Sequence, residues 1–211
     1  MKTNEFINAL VEDISVRWPV GRALGIALII GILISGAILF AGIHLRPGLI
    51  HTVGTVGFLF KFCLNLSAAV VASGLLLRIA RPGLPTKFWS WLLIVPLLLL
   101  ILGIFGELSL TPHLTWYSRW IGHTAVYCVT MIPLMAVGPL ICLLLALRHS
   151  APTRPGSAGA IAGLVASGIA GTFYALHCPE NNPLFVSTWY TIATSIVVLA
   201  GYLTGSKVLR W

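Results

Sequence analysis

The sequence has few charged residues. Only 9% of its 211 residues are Asp, Glu, Lys or Arg, whereas a soluble domain carries about a quarter. So few charges cannot cover a water-facing surface, which excludes an ordinary soluble fold. The four cysteines form no CxxC pair, which argues against a thioredoxin-like enzyme. The net charge of +8 comes from scattered basic residues rather than a basic run interleaved with aromatics, so direct nucleic-acid binding is not predicted.

Long apolar runs take the place of the missing charges, and the mean hydropathy is +0.98. A helix needs about 20 apolar residues to cross a bilayer, where every backbone group must be satisfied internally. These requirements predict an all-α, polytopic membrane bundle of six transmembrane helices over residues 23–205. A cytoplasmic N-terminal segment, 1–22, and a short cytoplasmic C-terminus, 206–211, flank it. The predicted spans are Ala23–Ile43, Val53–Leu77, Trp89–Phe105, Gly122–Leu147, Ser157–Leu176 and Leu184–Leu203.

The distribution of Lys and Arg predicts the orientation. Arg46 and Arg119 are the basic residues of one set of connecting segments, and Lys61 lies within a span. Cytoplasmic segments carry the excess of Lys and Arg, so both termini are predicted to be cytoplasmic. The basic residues of the cytoplasmic set are Lys2, Arg17, Arg22, Arg78, Arg81, Lys87, Arg148, Arg154, Lys207 and Arg210.

Two of the four cysteines are predicted on the outer side. Cys178 lies in the turn "HCPENN" between spans five and six, and Cys128 lies near the outer end of span four. A disulfide between them would require Cα atoms about 4.4–6.8 Å apart. A permanent disulfide, or two thiols packed as small apolar groups, would be purely structural. The alternative is a thiol pair that senses oxidants or soft metal ions.

Polar neighbours bear on the sensor hypothesis. His177 and Glu180 flank Cys178 in the same turn. Thiolates and imidazole bind soft ions, so a transient metal ion at Cys128, Cys178 and His177 is one alternative. The spacing matches no defined metal motif, and neither a firm metal site nor a resident cofactor is predicted.

Lys61 is the one charge placed inside a span, where an unpaired ion costs a few kcal/mol. Glu107 and Glu180 are the acidic residues predicted on the same side. One of them should serve as counter-ion, and an intramembrane ion pair between Lys61 and Glu107 is predicted. The alternative is a transporter with Lys61 in its pathway.

Small residues recur every four positions in span five, at Gly159, Gly163, Ser167 and Gly171. This spacing places them on one helix face and allows another helix to approach closely. Packing within the bundle is favoured over a dimer interface.

The N-terminal segment has the pattern of an amphipathic helix. Over residues 2–14 its apolar stripe is flanked by three acidic residues and a single basic residue, Lys2. A helix on the inner leaflet would contact membrane lipid and usually carries Lys and Arg. The acidic flank favours a groove on a protein partner instead. The residues predicted to bind that partner are Phe6, Ile7, Leu10 and Ile14.

The run "LLLALRHSAPTRPGSAGAIAGLVASGIAGTFYALHCPENNPLFVSTWYTIA", the "RPG" after span two and the terminal "GSKVLRW" resemble the NrsF family of six-span anti-sigma factors across essentially the whole chain. Ser150 stands where that family often has Gly. The resemblance implies a multi-pass protein of the bacterial inner membrane. Such a protein would sequester an extracytoplasmic-function sigma factor and release it under metal or oxidative stress. The two cysteines that matter to sensing in the family match Cys128 and Cys178.

Two other functions remain as alternatives to this regulator, which is not expected to be an enzyme. The first is a small thiol-redox enzyme that couples Cys128 and Cys178 to a lipid quinone. The second is the transporter built around Lys61. Neither accounts for the acidic amphipathic N-terminus.

Overall fold

The computed structural model describes residues 20–81, 83–150 and 152–209. In this part of the chain, six helices are long and apolar enough to cross a membrane, which confirms the predicted helical class and number of spans. The largest differences from the predicted ends are in the third and sixth helices, which run on to Leu110 and Val208. We label the helices α1 Val20–Ile43, α2 Val56–Ile79, α3 Lys87–Leu110, α4 Ala125–Leu147, α5 Pro155–Tyr174 and α6 Pro183–Val208.

Helix α5 lies at the centre of the bundle and packs against α2, α4 and α6, while α1 packs mainly against α4. Its sequence is rich in Gly and Ala, so three neighbouring helices can approach its backbone at once. Helix α3 contains no buried residue and touches the bundle mainly through α2. Leu97, Leu98 and Leu102 face the surroundings of the bundle, as expected of a peripheral helix in lipid, while Leu99 and Leu100 pack against the core.

The small residues of α5 pack within the bundle, which confirms the favoured interpretation of their spacing. A Cβ added to Gly159 would lie 2.8 Å from the Cα of Gly205 on α6. A Cβ on Gly163 would lie 2.9 Å from the Cα of Val198 on the same helix. Only hydrogen fits between these backbones, so the α5–α6 interface depends on glycine.

Two prolines lie inside α4 without ending it. Pro139 has no amide hydrogen, so the carbonyl of Met135, four residues earlier, loses its partner within the helix. The buried hydroxyl of Ser35 on α1 donates to this carbonyl at 3.2 Å. Pro139 also packs against Gly31 of α1. The interruption in α4 is thus satisfied by α1, as the interior of a membrane requires.

Candidate functional site

The polar turn between α5 and α6 holds the candidate site, and we call residues 175–182 the Cys178 turn. The amides of His177 and Cys178 both donate to the carbonyl of Tyr174, at 3.0 and 2.9 Å. The chain therefore stays coiled for one more turn after α5 ends. Pro179 has no amide hydrogen and cannot continue this pattern. Cys178 is thereby held at the end of α5.

The structure brings Cys128 and Cys178 together. Cys128 lies one turn into α4, where its amide donates to the Thr124 carbonyl. Its Sγ is 3.8 Å from the Sγ of Cys178. Both are free thiols, and their exposed fractions are 0% for Cys128 and 1% for Cys178. The pair joins the start of α4 to the end of α5 without a covalent bond.

Several groups around the sulfur atoms act on the ionisation of Cys178, which lies outside the long helices. The hydrogen bond from Cys128 and the nearby Lys61 ammonium hold the pKa of the Cys178 thiol below its ordinary value, although burial acts in the opposite direction. The Tyr174 hydroxyl is 3.6 Å from the Sγ of Cys128. The arrangement therefore favours a thiolate on Cys178 and a proton on Cys128.

Lys61 is fully buried beneath the Cys178 turn, with an exposed fraction of 0%. Its Nζ donates to the backbone carbonyls of Cys178 at 2.7 Å and Glu180 at 3.1 Å. The ring of Phe58 lies 5.6 Å from the same nitrogen, within the range of a cation–π contact. The turn thus folds around the ammonium group of α2.

The predicted ion pair between Lys61 and Glu107 is not formed. Glu107, near the end of α3, instead pairs with Arg119. Arg119 belongs to the short helix Trp116–Ile121, in the connection between α3 and α4. That connection brings a basic side chain to the end of α3, while Lys61 on α2 faces the Cys178 turn. Whether Glu107 pairs with Arg119 or with Lys61 depends on where the connection between α3 and α4 lies. The hydropathy of the sequence does not indicate that position.

The remaining polar residues of the turn fasten it to its neighbours. Arg46, after α1, donates from its guanidinium to the Pro179 carbonyl at 2.9 Å. The Nδ1 of His177 is 2.8 Å from the carbonyl of His44, in a geometry that makes the imidazole the donor. The carboxylate of Glu180 accepts from the backbone amide of His123 at 3.3 Å. His177 and Glu180, predicted as neighbours of the sensor, therefore hold the turn in place.

The described residues contain no group of three His, Cys, Asp or Glu side chains that could hold a metal ion. The thiol pair offers two sulfur ligands, and the Nδ1 of His177 is engaged by His44. The other two cysteines lie elsewhere. Cys63 is exposed on α2, and Cys142 is partly buried on α4, about four turns beyond Cys128.

The residues predicted to bind a protein partner, Phe6, Ile7, Leu10 and Ile14, lie outside the described residues. Sequence reasoning also gave no role to Tyr174 and Arg46, which contact the thiol pair and the turn. Tyr174 stands four residues before Cys178, a spacing that would have placed both on one helical face. The spacing of the sequence could not have identified the role of Arg46, because its partner is a backbone carbonyl.

Comparisons with known proteins give a consistent result over the full length of the chain. The sequence profile of a family described as "NrsF: Negative regulator of sigma F" matches residues 10–211. A protein of Azospira oryzae named "Probable anti-sigma-F factor NrsF" is 30% identical over 218 residues, covering 100% of both chains. The "Anti-sigma-F factor NrsF" of Caulobacter vibrioides is 28% identical over 216 residues, also covering 100% of both. No solved structure matches the chain.

Proposed function

The chain belongs to the NrsF family of negative regulators of sigma F, and from that premise we propose that oxidation of one cysteine pair controls its affinity for an extracytoplasmic-function sigma factor. The family consists of regulators rather than enzymes. In this proposal the protein lies in the bacterial inner membrane with both termini in the cytoplasm. The reduced protein holds the sigma factor at the inner face, away from RNA polymerase. Stress that reaches Cys128 and Cys178 from outside releases it.

The observation that carries the proposal is the free thiol pair, whose sulfur atoms are 3.8 Å apart. The sulfurs must move closer to form a disulfide. Because Cys128 is on α4 and Cys178 follows α5, this movement shifts the two helices against each other. Metal capping of the two sulfurs would push them apart or reorient them instead, and would use the same pair.

A displacement at the Cys178 turn can be transmitted through the bundle to the opposite end of the molecule. Helix α5 is continuous from Tyr174 to Pro155 and packs tightly on α2, α4 and α6. A rigid helix moves as a unit, so displacement at the Cys178 turn also reaches the connection between α4 and α5. A change of sigma affinity of about 5- to 150-fold corresponds to a coupling of about 1–3 kcal/mol.

The sigma factor is proposed to bind the N-terminal segment, residues 1–22, through the apolar stripe of Phe6, Ile7, Leu10 and Ile14. An apolar stripe with an acidic flank fits a hydrophobic groove rimmed by basic residues. Such a partner binds DNA and presents positive charge, so acidic residues beside the stripe favour its approach electrostatically.

A purification experiment tests the function and its location together. The full chain and a variant lacking Met1–Val16 are solubilised from the native host, and bound proteins are identified by mass spectrometry. We expect a sigma factor with the full chain only. Recovery with both proteins would move the contact to the inner connections, and recovery with neither would contradict the proposal.

The role of the thiols is tested in the same preparation. Oxidation of the wild-type complex should release the sigma factor, whereas Cys128→Ser combined with Cys178→Ser should retain it. Cys63→Ser combined with Cys142→Ser is the matched control, since these cysteines lie outside the site. Normal release from the first double variant would contradict the sensor.

A further inference from the structure

Lys61 is a buried cation without a carboxylate partner in the described part of the chain. Its exposed fraction is 0%. The salt bridge found among residues 20–81, 83–150 and 152–209 joins Arg119 and Glu107 instead. Two of the three N–H groups of Lys61 are used by the carbonyls of Cys178 and Glu180. Carbonyls solvate the ammonium but do not neutralise its charge, and an unneutralised ion in a membrane is costly.

The titratable groups around Lys61 differ in whether they can carry a negative charge near neutral pH. Tyrosine hydroxyls ionise near pH 10 in water, whereas a thiol ionises closer to neutrality. The carboxylate of Glu180 is turned to the amide of His123 and offers Lys61 its backbone carbonyl. The Glu180 carboxylate still attracts Lys61, but Cys178 and Cys128 act on it more strongly, so the thiol pair is the main group that can supply negative charge beside Lys61 near neutral pH. The groups that face Lys61 and the pair from the surrounding elements are Arg46, Cys128, Tyr174, Cys178, Glu180 and Tyr190.

The two sulfurs are not equivalent in this arrangement. Lys61 holds the backbone carbonyl of Cys178 at 2.7 Å, while the Sγ of Cys128 also faces the Tyr174 hydroxyl at 3.6 Å. A proton shared between the sulfurs belongs on Cys128, because the ammonium stabilises a negative charge on Cys178. The pKa of Cys178 is lowered in agreement with this geometry.

We propose that Lys61 is a positioning residue that makes Cys178 the thiol that first attacks a hydroperoxide, and leaves Cys128 as the thiol that closes the disulfide. This inference rests on the proposed role of the pair as an oxidant sensor. It adds an order of reaction and a third member to the site. It also assigns a chemical role to Lys61, the buried charge of α2.

The reaction proceeds in two steps. The Cys178 thiolate attacks one oxygen of the hydroperoxide, forming an S–O bond and breaking the O–O bond. The leaving alkoxide, or hydroxide from hydrogen peroxide, takes up a proton from solvent, and Cys178 becomes a sulfenic acid. The Cys128 sulfur then attacks the Cys178 sulfur, forming the S–S bond and breaking the S–O bond. The proton of Cys128 leaves with the hydroxyl as water. The pair loses two electrons, and the hydroperoxide is reduced to an alcohol or water.

The first test uses the purified full-length protein in lipid nanodiscs with hydrogen peroxide as the oxidant. The rate of disulfide formation at pH 7 is measured by thiol trapping and mass spectrometry. Lys61→Met removes the charge and the donors, and Lys61→Gln keeps a donor without the charge. Both should slow oxidation by at least about tenfold, because they remove the positive charge beside the Cys178 thiolate while the hydrogen bond from Cys128 remains, and a rise of about one unit in the pKa of a thiol lowers its ionised fraction about tenfold. Arg119→Met, which removes a cation paired with Glu107 at the same end, should change the rate by less than about threefold.

Oxidation of Lys61→Gln at the wild-type rate would overturn the inference. A second measurement tests the assigned order of reaction even if the Lys61 variants fail to fold. A sulfenic-acid probe should label Cys178 in the Cys128→Ser protein, and label Cys128 at least about tenfold more slowly in the Cys178→Ser protein. Faster labelling of Cys128 would overturn the assigned order. No sigma factor is present in either assay, so wild-type oxidation without sigma release in the purified complex would count against the proposed function alone.

Discussion

At the scale of single residues, the site is held together by hydrogen bonds between cationic side chains and backbone carbonyls. The carbonyls of Cys178 and Glu180 accept from Lys61, and the carbonyl of Pro179 accepts from Arg46. Three successive carbonyls of one turn are thus held by two cationic side chains. Buried backbone groups are rarely left unpaired, and here their pairing fixes the sulfur of Cys178 against Cys128. The reactivity that we propose for this thiol would follow from its position, because its exposed fraction is only 1%.

The pH dependence of Cys178 is the first prediction at this scale. The hydrogen bond from Cys128 is the largest cause that lowers the pKa of Cys178. Cys128→Ala should therefore raise the midpoint of Cys178 alkylation to higher pH, while Cys128→Ser keeps a donor and should raise it less. The rate of Cys178 alkylation is measured on the Cys178 peptide over pH 5 to 9. The midpoint of its pH dependence is compared between variants, because a difference in reagent access changes the absolute rate but not the midpoint. An unchanged midpoint in Cys128→Ala would show that the proton is not held between the sulfurs.

The sign of the accompanying stability change follows from linkage. The pKa of Cys178 is lower in the folded protein than in the unfolded chain, where the thiol is ordinary. The thiolate thus contributes stability above the unfolded pKa, and this contribution is lost as the pH falls through the folded pKa. Thermal unfolding of the reduced protein should show a loss on acidification that Cys178→Ser reduces.

At the scale of helices, hydropathy predicted where the spans lie and left their partners open. The apolar runs identified six helices because each must bury a full bilayer length in lipid. The spacing of Gly159 and Gly163 further indicated a close contact, since only small side chains allow it. The partner of Glu107 was predicted wrongly, because the connection between α3 and α4 carries Arg119 to it. Lys61 binds backbone carbonyls, and these leave no signal in side-chain identity.

The α5–α6 interface provides the prediction at this scale. A methyl group on Gly159 would meet the backbone of Gly205 at 2.8 Å, and the two helices must separate to admit it. Gly159→Ala should destabilise the protein by about 1–3 kcal/mol, as overpacking of a core does. Gly25→Ala on α1 is the matched control, because no atom lies within 4 Å of the added methyl. Unfolding in mixed micelles measures both variants, and equal stability of the two would contradict the close packing.

At the scale of the whole molecule, the proposed switch separates its input from its output by the length of the bundle. The thiol pair lies at the end of the bundle that carries the Cys178 turn, while α1, which follows the N-terminal segment in the sequence, begins at the opposite end. Helices α4 and α5 run from one end of the bundle to the other. A switch built this way needs two packings of α4 against α5 that differ in their affinity for the sigma factor. The same difference must then act in both directions, because coupling free energies are reciprocal.

Reciprocity yields a quantitative expectation for the reduction potential of the thiol pair. If oxidation weakens sigma binding tenfold, bound sigma factor must favour the dithiol tenfold, which raises the two-electron potential of the pair by about 30 mV. The potential is measured by equilibrating the protein in glutathione redox buffers with and without saturating sigma factor and trapping the thiols. The variant lacking Met1–Val16 is the control, because it should bind no sigma factor and show no shift. A potential unaffected by sigma binding in the full chain would mean that the pair and the sigma factor are not coupled, however tightly the sigma factor binds.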